Sequence, residues 1–246
     1  MTNEPTDPTP PAEHGHTEAE ITARLTAPKG RGHLRDAIYG GIDGAVTTFA
    51  IVAGVAGAGL SPFVIVALGL ANVLADGFSM AAGNYSGTKA ELDDARRLRA
   101  IEERHIATNP IGELRELRVI LAHKGLSGQT LEDATHQIAT NREAWIAAML
   151  EGEYGLAPVD PDPMRAAIVT FGAFMVAGMV PLMPFLLGMT QAFAISTVLT
   201  LLCFFAIGAA KSIWSLSPWW RSGLETLAIG GAAAALAYGV GSLFGG

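Results

Sequence analysis

Asn72, Asp76, Met80 and Asn84 recur every four residues inside the otherwise apolar stretch Ala71–Ser86. On a helix that spacing stacks them on one face, each step climbing about 6 Å. The row therefore covers roughly 18 Å of a hydrocarbon layer about 30 Å thick. A carboxylate, two amides and a thioether are costly against lipid, so they must face protein or a water-filled path. Oxygen donors with one soft sulfur suit a divalent first-row ion such as Fe²⁺ or Mn²⁺ better than Mg²⁺ or Ca²⁺. The row reads as a metal pathway, with interhelical hydrogen bonding as the plainer role for Asn72 and Asn84. Asp43 is a further intramembrane carboxylate, set among glycines near the start of the first apolar stretch. It either joins the path or reaches out to the interface.

A second constellation lies in the polar interval that follows. Glu102 and His105 are three apart, Glu113 and Glu116 three apart, and Met149 and Glu153 four apart. Each pair shares a helical face, and antiparallel helices can bring such pairs together. Carboxylates, an imidazole and a thioether fit Fe²⁺, Mn²⁺ or Zn²⁺. The competing reading is a solvated acidic surface, because 14 Asp/Glu and 10 Lys/Arg fall between residues 88 and 165. Met175, Met179 and Met183 also stack at intervals of four, a pattern that packing alone explains. Glu225, at the start of the last apolar stretch, suits a helix N-terminus.

The elements that must position these groups are membrane helices. Apolar stretches at about 38–60, 62–87, 165–187, 190–210 and 223–244 each have the length to span a bilayer. The fold expected is an all-α polytopic membrane protein, five transmembrane helices with a three-helix cytoplasmic insert between spans two and three. Residues 1–33 read as a disordered polar tail, 34–87 as spans one and two, 88–163 as a helical metal-binding domain and 164–246 as spans three to five. In the insert, the second span continues to about Ile106. A helix then starts at Asn109-Pro110 and ends near Gly125, and a third runs from about Thr130 to Tyr154. All 16 Lys and Arg fall in 1–37, 88–165 and 211–222. By the positive-inside rule the N-terminus and insert are cytoplasmic and the C-terminus is outside. A net charge of −7 argues against nucleic acid, and the single cysteine, Cys203, allows no intrachain disulfide. No apolar stretch of signal-peptide type opens the chain.

Three segments carry a family resemblance: Asp43-Gly-Ala-Val-Thr-Thr-Phe-Ala, Asp76-Gly-Phe-Ser-Met-Ala-Ala-Gly-Asn-Tyr and Arg221-Ser-Gly-Leu-Glu-Thr-Leu. They resemble the vacuolar iron transporter family, and the resemblance covers nearly everything after the tail. It implies a homodimer that moves Fe²⁺, often Mn²⁺ as well, out of the cytosol in exchange for protons, along a path lined by Asp43 and Met80. It further implies that Glu102, Glu113, Glu116 and Glu153, with Met149, form a cytoplasmic metal-binding cluster. The chain departs from the family pattern at His105, where another Glu is expected, at Leu150, where some members have Met, and at Asn84, where many have Glu. On this reading the protein is not an enzyme. It has no prosthetic group, takes Fe²⁺ or Mn²⁺ as substrate and regulatory ligand, and sits in a bacterial plasma membrane. The alternative is a membrane-anchored di-iron ferroxidase or iron store, echoed by Glu102-x-x-His105 and Asp133-x-x-His136.

Overall fold

Helix is the only regular structure that leaves no backbone group unpaired along a single apolar segment, and the chain uses it throughout. The computed structural model describes residues 15–26, 32–156 and 161–244, with no strand among them. Within the expected tail, α1 (Glu18–Thr26) is capped by a reciprocal pair. The Thr17 hydroxyl donates to Glu20 Oε2 at 2.6 Å, and the Glu20 N–H donates back to Thr17 Oγ1 at 3.4 Å. The rest of the tail, 1–14 and 27–31, lies outside the described residues.

The first span is α2 (Leu34–Gly57) and the second begins α3 (Pro62–Thr108), a single helix of 47 residues. At 1.5 Å per residue α3 is about 70 Å long, so its C-terminal half stands clear of a bilayer. The third span is α7 (Pro163–Met179), a 3₁₀ turn at Val180–Leu182 and the short α8 (Met183–Leu186). Pro181 and Pro184 interrupt the ladder there, since neither can donate a backbone hydrogen bond. The fourth and fifth spans are α9 (Ala192–Lys211) and α10 (Trp219–Phe244). All five pass the test of length and hydropathy for crossing a membrane.

Between α3 and α7 the insert holds α4 (Pro110–His123), α5 (Gly128–Ala139) and α6 (Arg142–Tyr154). The single third helix expected over 130–154 is therefore two. Asn141 breaks it by adopting extended backbone (φ −108°, ψ 100°) and capping α6, its Oδ1 accepting from the Ala144 N–H at 3.2 Å. Leu117, Leu121, Leu131, Trp145 and Met149 form the insert's buried core, flanked by Leu114, Ile120 and Ile138.

In the membrane α2 is the central helix, packed against α3, α7, α9 and α10. Half of its apolar window is buried inside the chain, against 11% for α10. Missing side chains make this possible. A Cβ on Gly44 would strike the Phe174 backbone of α7, and one on Gly241 of α10 would strike the Gly54 backbone of α2. Close approach through small residues is how helices gain packing energy where lipid is as apolar as protein. Gly44→Val should therefore force α2 and α7 apart. Overpacking of this kind costs about 1–3 kcal/mol or more, and the expected outcome is a lower thermal midpoint in detergent, with Gly231→Val, whose nearest neighbour is 3.9 Å away, as the mild control.

Candidate metal sites

The insert brings together one of the two clusters read from spacing. Glu102 on α3 and Glu113 on α4 are buried, at 1% and 4% exposure, and His105 stands at the exposed rim. One ligand atom from each of the three lies within 4.8 Å of the others. His105 Nδ1 is 3.5 Å from a Glu113 oxygen. The turn at Asn109-Pro110 folds α4 back against α3, so residues 102 and 113 face each other across it. Oε2 of Glu102 and Oε2 of Glu113 are buried and accept no hydrogen bond from any described residue. Two buried, half-unsatisfied carboxylates facing each other are costly unless a proton or a cation sits between them.

Burial and like charge favour the proton. Glu113 is pushed up to about 7, first by burial and then by the neighbouring Glu116 and Glu102, with His105 opposing. Once protonated, Glu113 can donate to Glu102. Glu102 Oε1 accepts from the Tyr154 hydroxyl at 3.0 Å. Burial first, and then that hydrogen bond, hold the phenol well above its ordinary pKa, so it remains a donor. Glu116 and Glu153 lie on the exposed lip, lining a groove with His123 and Gly152. Met149 is fully buried with the apolar core. Asp133 and His136 are on the exposed face of α5, outside the three-residue group.

Along the second span the structure separates two adjacent rows. Ile65, Gly69, Val73, Gly77 and Ala81 are buried. Asn72, Asp76, Met80 and Asn84 run alongside them, each only half-buried. Leu74 and Phe78, further round, are exposed as lipid-facing residues must be. The polar row thus lies at the edge of the packed face. Asn72 donates to Thr47 Oγ1 at 3.3 Å, and Thr47 donates to the Asp43 carbonyl at 2.8 Å. Asp43 and Asp76 each lie one helical turn from the Asn72–Thr47 contact, both towards the insert.

At the end of the span nearest the insert, Asn84 is a junction. Its amide donates to Asp36 Oδ1 at 2.9 Å, Thr170 Oγ1 at 2.7 Å and the Ala166 carbonyl at 3.4 Å, tying α2, α3 and α7. His33 Nδ1 is 3.0 Å from the other Asp36 oxygen. This network walls a polar cavity of about 180 Å³ lined also by Thr88, Glu91 and Asp162. A second cavity, of about 280 Å³, has Asp36, Asn84 and Met80 in its wall. Sequence reasoning passed over Asp36, Thr170 and Tyr154. Asp36 had a signal, since it is seven residues before Asp43 and shares its helical face. Tyr154 had none beyond its place next to Glu153.

The description of the VIT family matches residues 34–242 of this chain. Vacuolar iron transporter 1 of Arabidopsis thaliana is 34% identical over 228 residues, spanning 91% of this chain and 88% of the relative. Vacuolar iron transporter 1 of Tulipa gesneriana is 34% identical over 239 residues, covering 94% and 93%. The vacuolar iron transporter of Toxoplasma gondii is 33% identical over 86% of this chain and 74% of its own.

The raised pKa of Glu113 fixes a direction for stability. Below its ordinary value of 4.5 the carboxyl is protonated whether the chain is folded or not, and stability does not depend on this group's ionisation. Between 4.5 and about 7 the unfolded chain ionises first, so the metal-free insert loses stability as pH rises. The expected result is a thermal midpoint of the insert helices, followed by circular dichroism without metal, that falls across this window. Glu113→Gln should flatten the profile, and a wild-type profile already flat would contradict the buried-carboxyl cost.

Proposed function

The chain belongs to the VIT family, and on that premise we propose that it is a divalent-metal transporter that carries Fe²⁺ and Mn²⁺ out of the cytosol in exchange for protons. The observation that carries this reading is the Asn72–Thr47 hydrogen bond between α3 and α2, since Asp76 and Asp43 each lie one turn further along these facing helices, Asp76 within the half-buried row. Two carboxylates interacting at membrane depth hold a divalent ion well when ionised and release it when protonated. Met80 supplies a soft donor one turn away, which favours first-row transition ions over Mg²⁺.

The half-exposure of the row argues for a homodimer. Asn72, Asp76, Met80 and Asn84 are not fully covered by their own chain, and polar groups left towards lipid are costly. A second copy laid against this edge of α3 would enclose them as a path. At the position where the resemblance gives many members a glutamate, Asn84 holds Asp36 instead, and we infer that Asp36 supplies the carboxylate at the inner mouth. The Glu102–His105–Glu113 group, with Glu116 and Glu153 on its lip, is read as a collecting site that raises the metal concentration beside that mouth. Met149 joins it as a sulfur donor on this reading.

Two measurements test the proposal. Proteoliposomes with an interior Fe²⁺ or Mn²⁺ reporter should take up metal when a pH gradient is applied, and Asp76→Ala or Met80→Ala should slow uptake about 10-fold or more, a barrier change of about 1.4 kcal/mol. Undiminished uptake by Asp76→Ala would remove that residue from the path. For orientation, Ser127→Cys and Ser217→Cys in a Cys203→Ser background should label from the cytosolic side, and Thr190→Cys from the other. The reverse labelling would invert the direction of transport.

A further inference from the structure

Tyr154 is the last residue of α6, and the end of that helix is sharply set. Gly155 takes left-handed backbone (φ 66°), its N–H bonding the Glu151 carbonyl at 3.1 Å while the Leu156 N–H bonds that of Leu150 at 3.1 Å. This double closure, which glycine adopts without a Cβ penalty, leaves the phenol on a fixed helical turn. From there its hydroxyl reaches across to α3 and donates to Glu102 Oε1 at 3.0 Å. Glu102 is 1% exposed, and its other oxygen, Oε2, accepts no hydrogen bond from a described residue. One oxygen therefore already accepts a hydrogen bond from the phenol, and the other accepts none from a described residue.

We propose that Tyr154 is a positioning residue that restricts Glu102 to a single free oxygen and so sets the insert site's preference for first-row transition ions over Ca²⁺. The proposal rests on the metal-binding reading of the Glu102–His105–Glu113 group. Ca²⁺ takes six to eight oxygen ligands and readily uses carboxylates in bidentate fashion. A site that offers a buried carboxylate through one oxygen, with a facing carboxylate and an imidazole nitrogen, is short of oxygens for Ca²⁺. It suits Fe²⁺, Mn²⁺ or Co²⁺, which accept mixed oxygen and nitrogen donors at shorter range. Hydrogen-bonded partners of ligating carboxylates orient the ligand as well as strengthen it. Freeing Oε1 loosens the geometry and opens the bidentate mode together.

The test uses the full-length protein in detergent, titrated with Co²⁺ and followed by its visible absorption, the insert's share being the signal lost in Glu113→Gln. Ca²⁺ is then added as competitor. Tyr154→Phe should weaken Co²⁺ binding about 10-fold, alter the Co²⁺ absorption bands and make Ca²⁺ a correspondingly better competitor. In a Glu102→Gln background the same change should have no further effect, because its route of action is already gone. Wild-type binding with an unchanged Tyr154→Phe affinity and spectrum would overturn the proposal alone. So would an equal loss in the Glu102→Gln background, which marks general damage to the fold. If the wild-type insert contributes no Co²⁺ signal, the metal-binding reading falls, and this proposal falls with it.

Discussion

The continuity of α3 is the constraint on which the rest of the structure depends. One helix of 47 residues carries both the intramembrane row and half of the buried carboxylate pair. Helical phase then relates the two places without any help from loops. Asn84 and Glu102 are 18 residues apart, five full turns, so they point the same way, separated by about 27 Å along the axis. Thr88 and Glu91 lie on the same face between them and line the polar cavity beside Asn84. A break anywhere between 84 and 102 would rotate the insert away from the span it is meant to serve. The composition of that stretch suits an uninterrupted helix: no proline falls inside it, and Lys89–Asp93 and Arg99–Glu103 are paired one turn apart on the solvent face.

Against that rod, α2 is held by the absence of side chains. Gly44 meets the backbone of α7, and Gly54 meets Gly241 of α10, so the central helix is gripped through direct backbone approach. Such packing leaves little room for α2 to shift, and the Asn72–Thr47 bond sets its register against α3. Polar bonds do the same at the end nearest the insert, where Asn84 ties Asp36, Thr170 and the Ala166 carbonyl. Hydrogen bonds between membrane helices are individually modest, about 0.6 kcal/mol on average. Their value here is registry: three helices meet at one amide, and the cavities open around it.

The insert uses the opposite economy. Its core is thin, and within it the fold buries two carboxylates against each other, which no hydrophobic argument favours. Burial and mutual repulsion push Glu113 up to about 7, within the physiological range. A cation between the two carboxylates would offset the same cost, so metal held there would also stabilise the insert. The rim residues Glu116 and Glu153 are solvated and cheap to keep. They extend the negative field outward, and they need no precise placement to do so.

Length, hydropathy and the clustering of Lys and Arg determined the number and placement of the spans, because spanning a bilayer leaves so few options for the backbone. The four-residue period of Asn72, Asp76, Met80 and Asn84 likewise determined that they share a face, since helical phase is local. The pairing of Glu102 with Glu113 was legible as a candidate, because Asn109-Pro110 marks a turn between them. The break at Asn141 was less so, because its capping role depends on α5 and α6 packing separately on α4. Only the tertiary structure decided which of these acids are buried, leaving Glu116 and Glu153 on the surface and enclosing Glu102. It alone brought Tyr154 and Asp36 into contact with groups 52 and 48 residues away. Burial and long-range contact are properties of how helices pack against each other, and no periodicity within one helix encodes them.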